Sequence, residues 1–451
     1  MECIGAVDQG TQSTRFILYD NKARVVSSHA EEFKQISQHP GWLEHDPYLG
    51  GQDHLRGTTG LPISTYFSAY KWVWLVEHVP AVADAVREGR CVLGTIDTWL
   101  IWNLTGGPQG GKLATDVTNA SRTSLMDLQT LQWHTPTLKL FGLSEGMLAR
   151  IHSSAEEVGR VRAGHLAGVP ITGCLGDQSA ALLGQRCRQH EVKNTYGTGC
   201  FCLLHTGRTP TPSRHGLLTT VARQLGPKAQ AEYALEGSIG VAGMGITWLR
   251  DSLGLITSAQ ESEDLAASVP STQGVYFVPA FSGLLAPHWR DDARGTIVGI
   301  SGSTRRAHIV RAMLEAMCWQ TREVIDAMKD DVSLEELKLL RADGGASRNN
   351  LLMQLQADTL QMEVERPGNL ETTSLGAAFA AGIGAGVWTE EWVLSQHHAQ
   401  PAEDENMRSD KHPATAASFQ PAAVSAEVER RYTRWRKAVA KSLDQDDLAD
   451  E

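Results

Sequence analysis

The sequence predicts a two-domain α/β protein, and three observations carry that expectation. At 451 residues the chain exceeds what one hydrophobic core usually serves. Two glycine turns, Asp8-Gln9-Gly10-Thr11 and Gly197-Thr198-Gly199-Cys200, each lie between β-prone runs, one in each half. The second half then repeats the strand–turn–strand order of the first. A boundary just after a helix ending at Arg186 divides 1–186 from 187–451.

In chain order, Cys3–Val7 and Arg15–Tyr19 read as strands around the first turn, and Arg24–Ser28 continues the meander. Tyr66 to Val79 is aromatic, with Lys71 among Phe67, Tyr70, Trp72 and Trp74. Gly94–Trp102 reads as a buried apolar segment. Pro170–Leu175 reads as a strand entering Gly176-Asp177-Gln178, with an alanine-rich helix, Ser179–Arg186, behind it. Lys193–Tyr196 enters the second turn and Phe201–His205 leaves it. Leu217–Ala222 and Ala231–Leu235 form a hairpin about Gly226-Pro227, and Val241–Leu253 is a helix. Thr296–Ile300 is a short strand; Ala307–Met328 is a long helix with Ile309, Met313, Met317, Val324 and Met328 near one face. Leu337–Arg341 is a strand running into Asp343-Gly344-Gly345, and a further helix starts at Asn349. His397–Ala417 lacks periodicity and is expected to be a disordered surface insertion. Val428–Leu443 closes the chain as a basic amphipathic helix.

Composition narrows the function classes. A net charge of −11 argues against a nucleic-acid partner, which needs a basic face. No apolar run reaches membrane length and no signal sequence stands at Met1, so no membrane partner and a cytoplasmic location are expected. Seven scattered cysteines without a C-x-x-C pair read as free thiols.

The two turns carry the chemistry. Glycine lets backbone pass close to an anion, and successive N–H groups form a concavity suited to phosphate oxygens. Two such loops in two halves imply a nucleotide held between two related domains, as phosphoryl transfer requires. That reaction needs positioning, charge neutralisation and one base. Asp177, after a strand and against a helix N-terminus, suits the base; read alone it also suits a helix cap. Two other glycine patterns are set aside. Gly106 to Lys112 spells a phosphate loop, but Leu113 stands where Ser or Thr is needed. Gly382, Gly384 and Gly386 do not complete a dinucleotide fingerprint and are expected to permit close helix packing.

Tyr66-Phe67-Ser68-Ala69-Tyr70-Lys71-Trp72-Val73-Trp74-Leu75 resembles one signature of the FGGY carbohydrate kinases. Gly295-Thr296-Ile297-Val298-Gly299-Ile300, with His308-Ile309 and Arg311-Ala312 beyond it, resembles the other. Gly41-Trp42-Leu43-Glu44-His45-Asp46-Pro47, Asp97-Thr98-Trp99-Leu100-Ile101-Trp102, Thr118-Asn119-Ala120-Ser121-Arg122-Thr123 and Asn194 to Phe201 are similar to its glycerol-phosphorylating members. The resemblance implies an actin/Hsp70-like (ribonuclease H-like) ATPase fold closing on ATP, Mg2+ and glycerol, with ADP as product and room for a homo-oligomer. It implies Asp177 as the base and Asp8 at the metal. Gly10, Thr11, Gln12, Ser13 and Arg15 match the first phosphate loop, and Thr198 and Gly199 the second. Gly243, Gly345 and Asn349 match nucleotide contacts, and Tyr66, Gln178 and Phe201 match the glycerol pocket.

The resemblance breaks after Asp46-Pro47 and resumes near Leu55. The family there has a helix, a central strand ending in Asn-Gln-Arg-Glu-Thr-Thr, and a further strand. The absent Arg and Glu bind glycerol hydroxyls, and only Arg56 and nearby polar residues offer a replacement. The first domain is therefore expected to be incomplete. Three readings stand: an active kinase, a non-catalytic member that binds nucleotide at most, or an incomplete form of the enzyme.

Overall fold

The computed structural model describes residues 3–10, 13–32, 54–395 and 416–445. Thr11, Gln12, the motif from Gly41 to Pro47 and residues 397–415 of the expected insertion lie outside the described residues.

The first domain opens with three antiparallel strands in sequence order: Cys3–Gln9 (β1), Ser13–Asp20 (β2) and Val25–Glu32 (β3). Alternation sends Ala6, Ile17 and Tyr19 into a core with Leu183, Leu375 and Phe379. On the opposite face Val7 is 46% exposed. The aromatic stretch forms helix Ser68–His78 (α1), and Ala69 and Trp72 are its buried residues. The segment expected to be buried, Gly94–Trp102, is instead helix Ile96–Leu104 (α2) lying at the surface. Its inward residues are Asp97, Thr98 and Ile101, whereas Trp99 is 57% exposed. A helix turns residues every 100°, so a run of apolar residues longer than one face cannot all be buried.

The expected strand Pro170–Leu175 is also corrected. Only Pro170–Ile171 pairs, antiparallel to Gly159–Arg160, and 172–176 carry no ladder. A strand needs a neighbour to accept its N–H groups, and among the described residues none is paired with 172–176. The segment packs on a helix instead: Thr172 Oγ1 donates to Ala381 O at 2.8 Å. Helix Asp177–Gly184 (α3) follows, beginning at the candidate base itself.

The second domain is fuller. Val192–Tyr196 (β4), Cys200–Gly207 (β5), Leu218–Arg223 (β6) and Glu232–Ile239 (β7) precede helix Gly243–Asp251 (α4) and the 27-residue helix Arg306–Val332 (α5). Leu339–Asp343 (β8), helix Asn350–Leu360 (α6), Glu363–Arg366 (β9), helix Thr372–Gly384 (α7), Ala417–Phe419 (β10) and helix Ser425–Ala440 (α8) complete it. Seven strands form one sheet in the order β6-β7-β5-β4-β8-β9-β10, with β4–β8 and β8–β9 parallel. Ala417, placed by the sequence in the disordered insertion, starts β10, because the edge of β9 offers it a ladder.

The two domains are unequal in an informative way. Strand β4 has a hairpin partner on one side and parallel β8 on the other. Among the described residues β1 has only its hairpin partner. Helices α3 and α7 cross between the domains at glycines: a Cβ on Gly184 would lie 1.9 Å from Thr372 O, and one on Gly376 1.8 Å from Ala180 O. Gly382 and Gly384 also stand where a side chain has no room, against Trp388 and Thr172. Gly386, by contrast, is a turn residue with φ 73° and open space around it, because the chain has already left the helix.

Candidate active site

The first turn is built by the β1–β2 hairpin. Gln9 and Thr14 pair across it, Thr14 Oγ1 donates to Gln9 Oε1 at 2.6 Å, and Gly10 N donates to Ser13 O at 2.9 Å. Asp8 and Arg15 face each other in register. Arg15 Nη1 reaches across to Glu371 Oε1 at 2.6 Å, so residues from both domains meet at this turn.

The second turn joins β4 to β5. Gly197 N donates to Gly199 O at 2.9 Å, and Gly197 and Thr198 are exposed. The start of α4 is docked on it: Gly243 N donates to Gly197 O at 2.9 Å and Met244 N to Thr198 O at 3.0 Å. A Cβ on Gly243 would sit 2.6 Å from Gly197 O, and one on Gly199 2.3 Å from Ile239 O. Both glycines are thus demanded by close backbone approach. After β8, Gly344 has φ 84° and Gly345 faces open space. Asn349 caps α6, accepting from Leu352 N at 2.8 Å. A cavity of about 400 Å³ lies between the domains, lined by Arg15, His29, Gly344, Gly345, Arg348 and Glu371. It brings Arg15 and Gly345, 330 residues apart in sequence, to one wall.

Asp177 is exposed at the start of α3, and its Oδ1 accepts from Gln178 N at 2.8 Å. Tyr66 stands close enough for Arg122, Glu236 and Asp177 to act on its hydroxyl, which burial pushes above its ordinary range. Phe201 lies opposite Ser238 in the β5–β7 register. Glu236, nearly fully buried, accepts from Arg122 Nη2 at 2.9 Å, joining the first domain to the second. The sequence reading did not single out this ion pair or the buried Lys193. Their partners are distant in sequence, and only the alternating register of β4, β5 and β7 puts Lys193, Leu203 and Glu236 in one row. Arg56, the proposed stand-in for the missing Arg, donates to Leu217 O at 2.6 Å.

The carboxyl of Asp8 is pushed up to about 6, by burial first, then by the charges of Asp177 and Glu371, against the opposing pull of Arg15. Carboxylates that repel one another around one cleft form a hard oxygen set suited to magnesium, so Asp8 fits the role the resemblance implies. Asp97, Asp116 and Cys174 also cluster. Asp116 accepts from Asn119 N and Thr118 N as a helix cap and from Ser154 Oγ, so its oxygens are committed to structure. All seven cysteines are unpaired, as expected.

Comparison with known proteins agrees with this geometry. The sequence pattern of the FGGY family of carbohydrate kinases, N-terminal domain, matches residues 3–49 and 48–184, and the C-terminal domain pattern matches 192–385. The chain is similar to glycerol kinase of Arabidopsis thaliana, 45% identical and covering 99% of this chain and 98% of the relative. It is also similar to glycerol kinase of Brucella anthropi, at 42% identity with 98% of each covered. Among solved structures, Plasmodium falciparum glycerol kinase with ADP superposes with a TM-score of 0.83 at 34% identity, over 98% of each chain. The Arabidopsis alignment spans 527 positions against a chain of 451, leaving at least 76 positions of the relative without a counterpart here. The N-terminal pattern divides at residues 48–49, where the resemblance breaks. A cleft that joins Arg15 to Gly345 and both family patterns in order lead to one conclusion: the fold is the two-domain actin/Hsp70-like fold, and the chain belongs to the FGGY family of carbohydrate kinases.

Proposed function

We propose that this chain is a glycerol kinase, transferring the γ-phosphoryl group of ATP to glycerol to give sn-glycerol 3-phosphate and ADP. The observation that carries the proposal is the exposed Asp177 carboxylate at the head of α3, beside Gln178 and within electrostatic reach of Asp8 and Tyr66. Its setting is a chain whose relatives at 45% and 42% identity are glycerol kinases.

In this reading Asp177 takes the proton of a glycerol hydroxyl as its oxygen bonds to the γ-phosphorus. The bond from that phosphorus to the β,γ-bridging oxygen breaks, and ADP leaves with the charge. Gly10, Thr11, Gln12, Ser13 and Arg15 hold phosphate from the first domain, and Thr198 and Gly199 from the second. Gly243 and Asn349 shape the nucleotide side by seating the second turn and capping α6, and Gly345 leaves room there. Magnesium at Asp8 supplies neutralisation of the phosphate oxygens when bound. Tyr66, Gln178 and Phe201 surround glycerol, and closure of 1–186 on 187–451 excludes water. Among the described residues no helix is long and apolar enough to cross a membrane. We place the enzyme in the cytoplasm.

The test is glycerol-dependent ADP release from ATP-Mg by the purified chain, beside Asp177→Asn. Turnover that falls by about 10²–10⁴ in the variant is the expected result. Equal turnover in both would remove Asp177 from the base role, and none in the parent would refute the kinase.

A further inference from the structure

Lys193 is the fully buried cation of the second domain's first strand, β4. Among the described residues it forms no ion pair with a carboxylate. Its Nζ donates to Gln178 Oε1, on the first domain's α3, and to Thr195 Oγ1 at 2.9 Å. Burial pulls the ammonium below the usual lysine range, while Asp343, Asp177 and Glu236 act at longer reach to keep it charged.

An ammonium has donors and no acceptor, so Gln178 must present its oxygen to Lys193 and turn its NH2 the other way. That Nε2 is neither bonded to another described residue nor enclosed, and it belongs to the half-exposed residue next to the exposed base. A hydroxyl that gives its proton to Asp177 keeps lone pairs on its oxygen, and an amide N–H beside the carboxylate is the complementary group. A glutamine free to rotate would offer its oxygen half the time and repel that lone pair.

We propose that Lys193 is a positioning residue for the phosphoryl acceptor: by holding Gln178 Oε1 from the second domain, it aims the amide N–H of Gln178 at the polyol hydroxyl beside Asp177. This rests on the kinase reading above. It also ties acceptor binding to domain arrangement, since Lys193 and Gln178 come from opposite sides of the proposed boundary.

The experiment compares glycerol KM, kcat, ADP affinity and Tm for the parent chain, Lys193→Met, Gln178→Leu and the double variant. Methionine has a similar length without the charge, but it leaves the buried Asp343 without a nearby cation, so a lower Tm is expected whatever the role of Lys193. The expected result is an ADP affinity kept in folded K193M, with kcat/KM for glycerol lowered about 10²-fold, mainly through KM. The double variant is expected to be no worse than Gln178→Leu alone, because both changes remove one contact. Unchanged glycerol KM in K193M, or singles whose effects multiply in the double, would overturn the proposal. Should K193M not fold, Gln178→Glu reads the same contact from the exposed side. It keeps an acceptor for the ammonium and removes only the amide donor, so Tm holds or rises while glycerol KM rises. Unchanged KM there also overturns the proposal. A parent without glycerol-dependent turnover sinks the kinase reading and this one together; an active parent matched by K193M sinks this one alone.

Discussion

Asp8 is the residue at which electrostatics and function meet. Its carboxyl, raised from 3.8 to about 6 in the fold, holds a proton that the unfolded chain has already released across that window. The folded state therefore binds more protons between these values, and stability falls as pH rises through them. The cost is on the order of 2–3 kcal/mol once Asp8 is ionised. Asp8→Asn is thus expected to raise Tm at pH 8 and to leave it unchanged near pH 4, while abolishing magnesium-dependent turnover. Thermal unfolding at the two pH values checks this, and an equal shift at both would refute it. Single residues were proposed from sequence where a short motif singled them out, as with Asp177, Thr198 and Gly199. Lys193 and the Arg122–Glu236 pair were not legible, because their meaning lies in partners from the other domain.

Elements show where local pattern is sufficient and where it fails. The hairpins around both turns follow from period-two alternation and two glycines, and the long helix α5 from its apolar face. Strand Pro170–Leu175 failed because pairing is a property of two segments, and among the described residues only Gly159–Arg160 pairs with it. Helix α2 failed because a run of apolar residues does not state which face is covered. Crossing of α3 and α7 is an element-scale constraint. Gly376→Ala places a methyl against Ala180 O, and overpacking of this kind costs about 1–3 kcal/mol or more. Chemical denaturation is expected to show a lower midpoint with unchanged slope. Among the described residues β1 pairs on one side only, a second constraint, since unpaired strand edges recruit other chains. Val7→Lys on this strand is expected to reduce light scattering on concentration without lowering Tm, as its side chain is already 46% exposed.

At the scale of the whole molecule the shortened first domain governs behaviour. Among the described residues three strands stand in its opening sheet against seven in the second domain's, and at least 76 positions of the Arabidopsis relative have no counterpart. We expect that two hydrogen bonds to charged groups, those the resemblance assigns to the absent Arg and Glu, are lost at about 1.5–3 kcal/mol each, which weakens glycerol binding by on the order of 10²–10⁴. Grafting the corresponding block of that relative between Pro47 and Leu55 is expected to lower glycerol KM by that factor and to raise Tm. A graft that folds with KM unchanged would show that this chain holds glycerol by its own residues. The sequence by itself determined the family and the place of the break, and it supplied the two turns and the carboxylate on which the proposed function rests, because each is written in residues close together along the chain. Only the tertiary structure decided what the break does to its neighbours, which cation orients Gln178, and which glycines let the domains meet. Those follow from contacts between segments far apart in sequence, which no local pattern encodes.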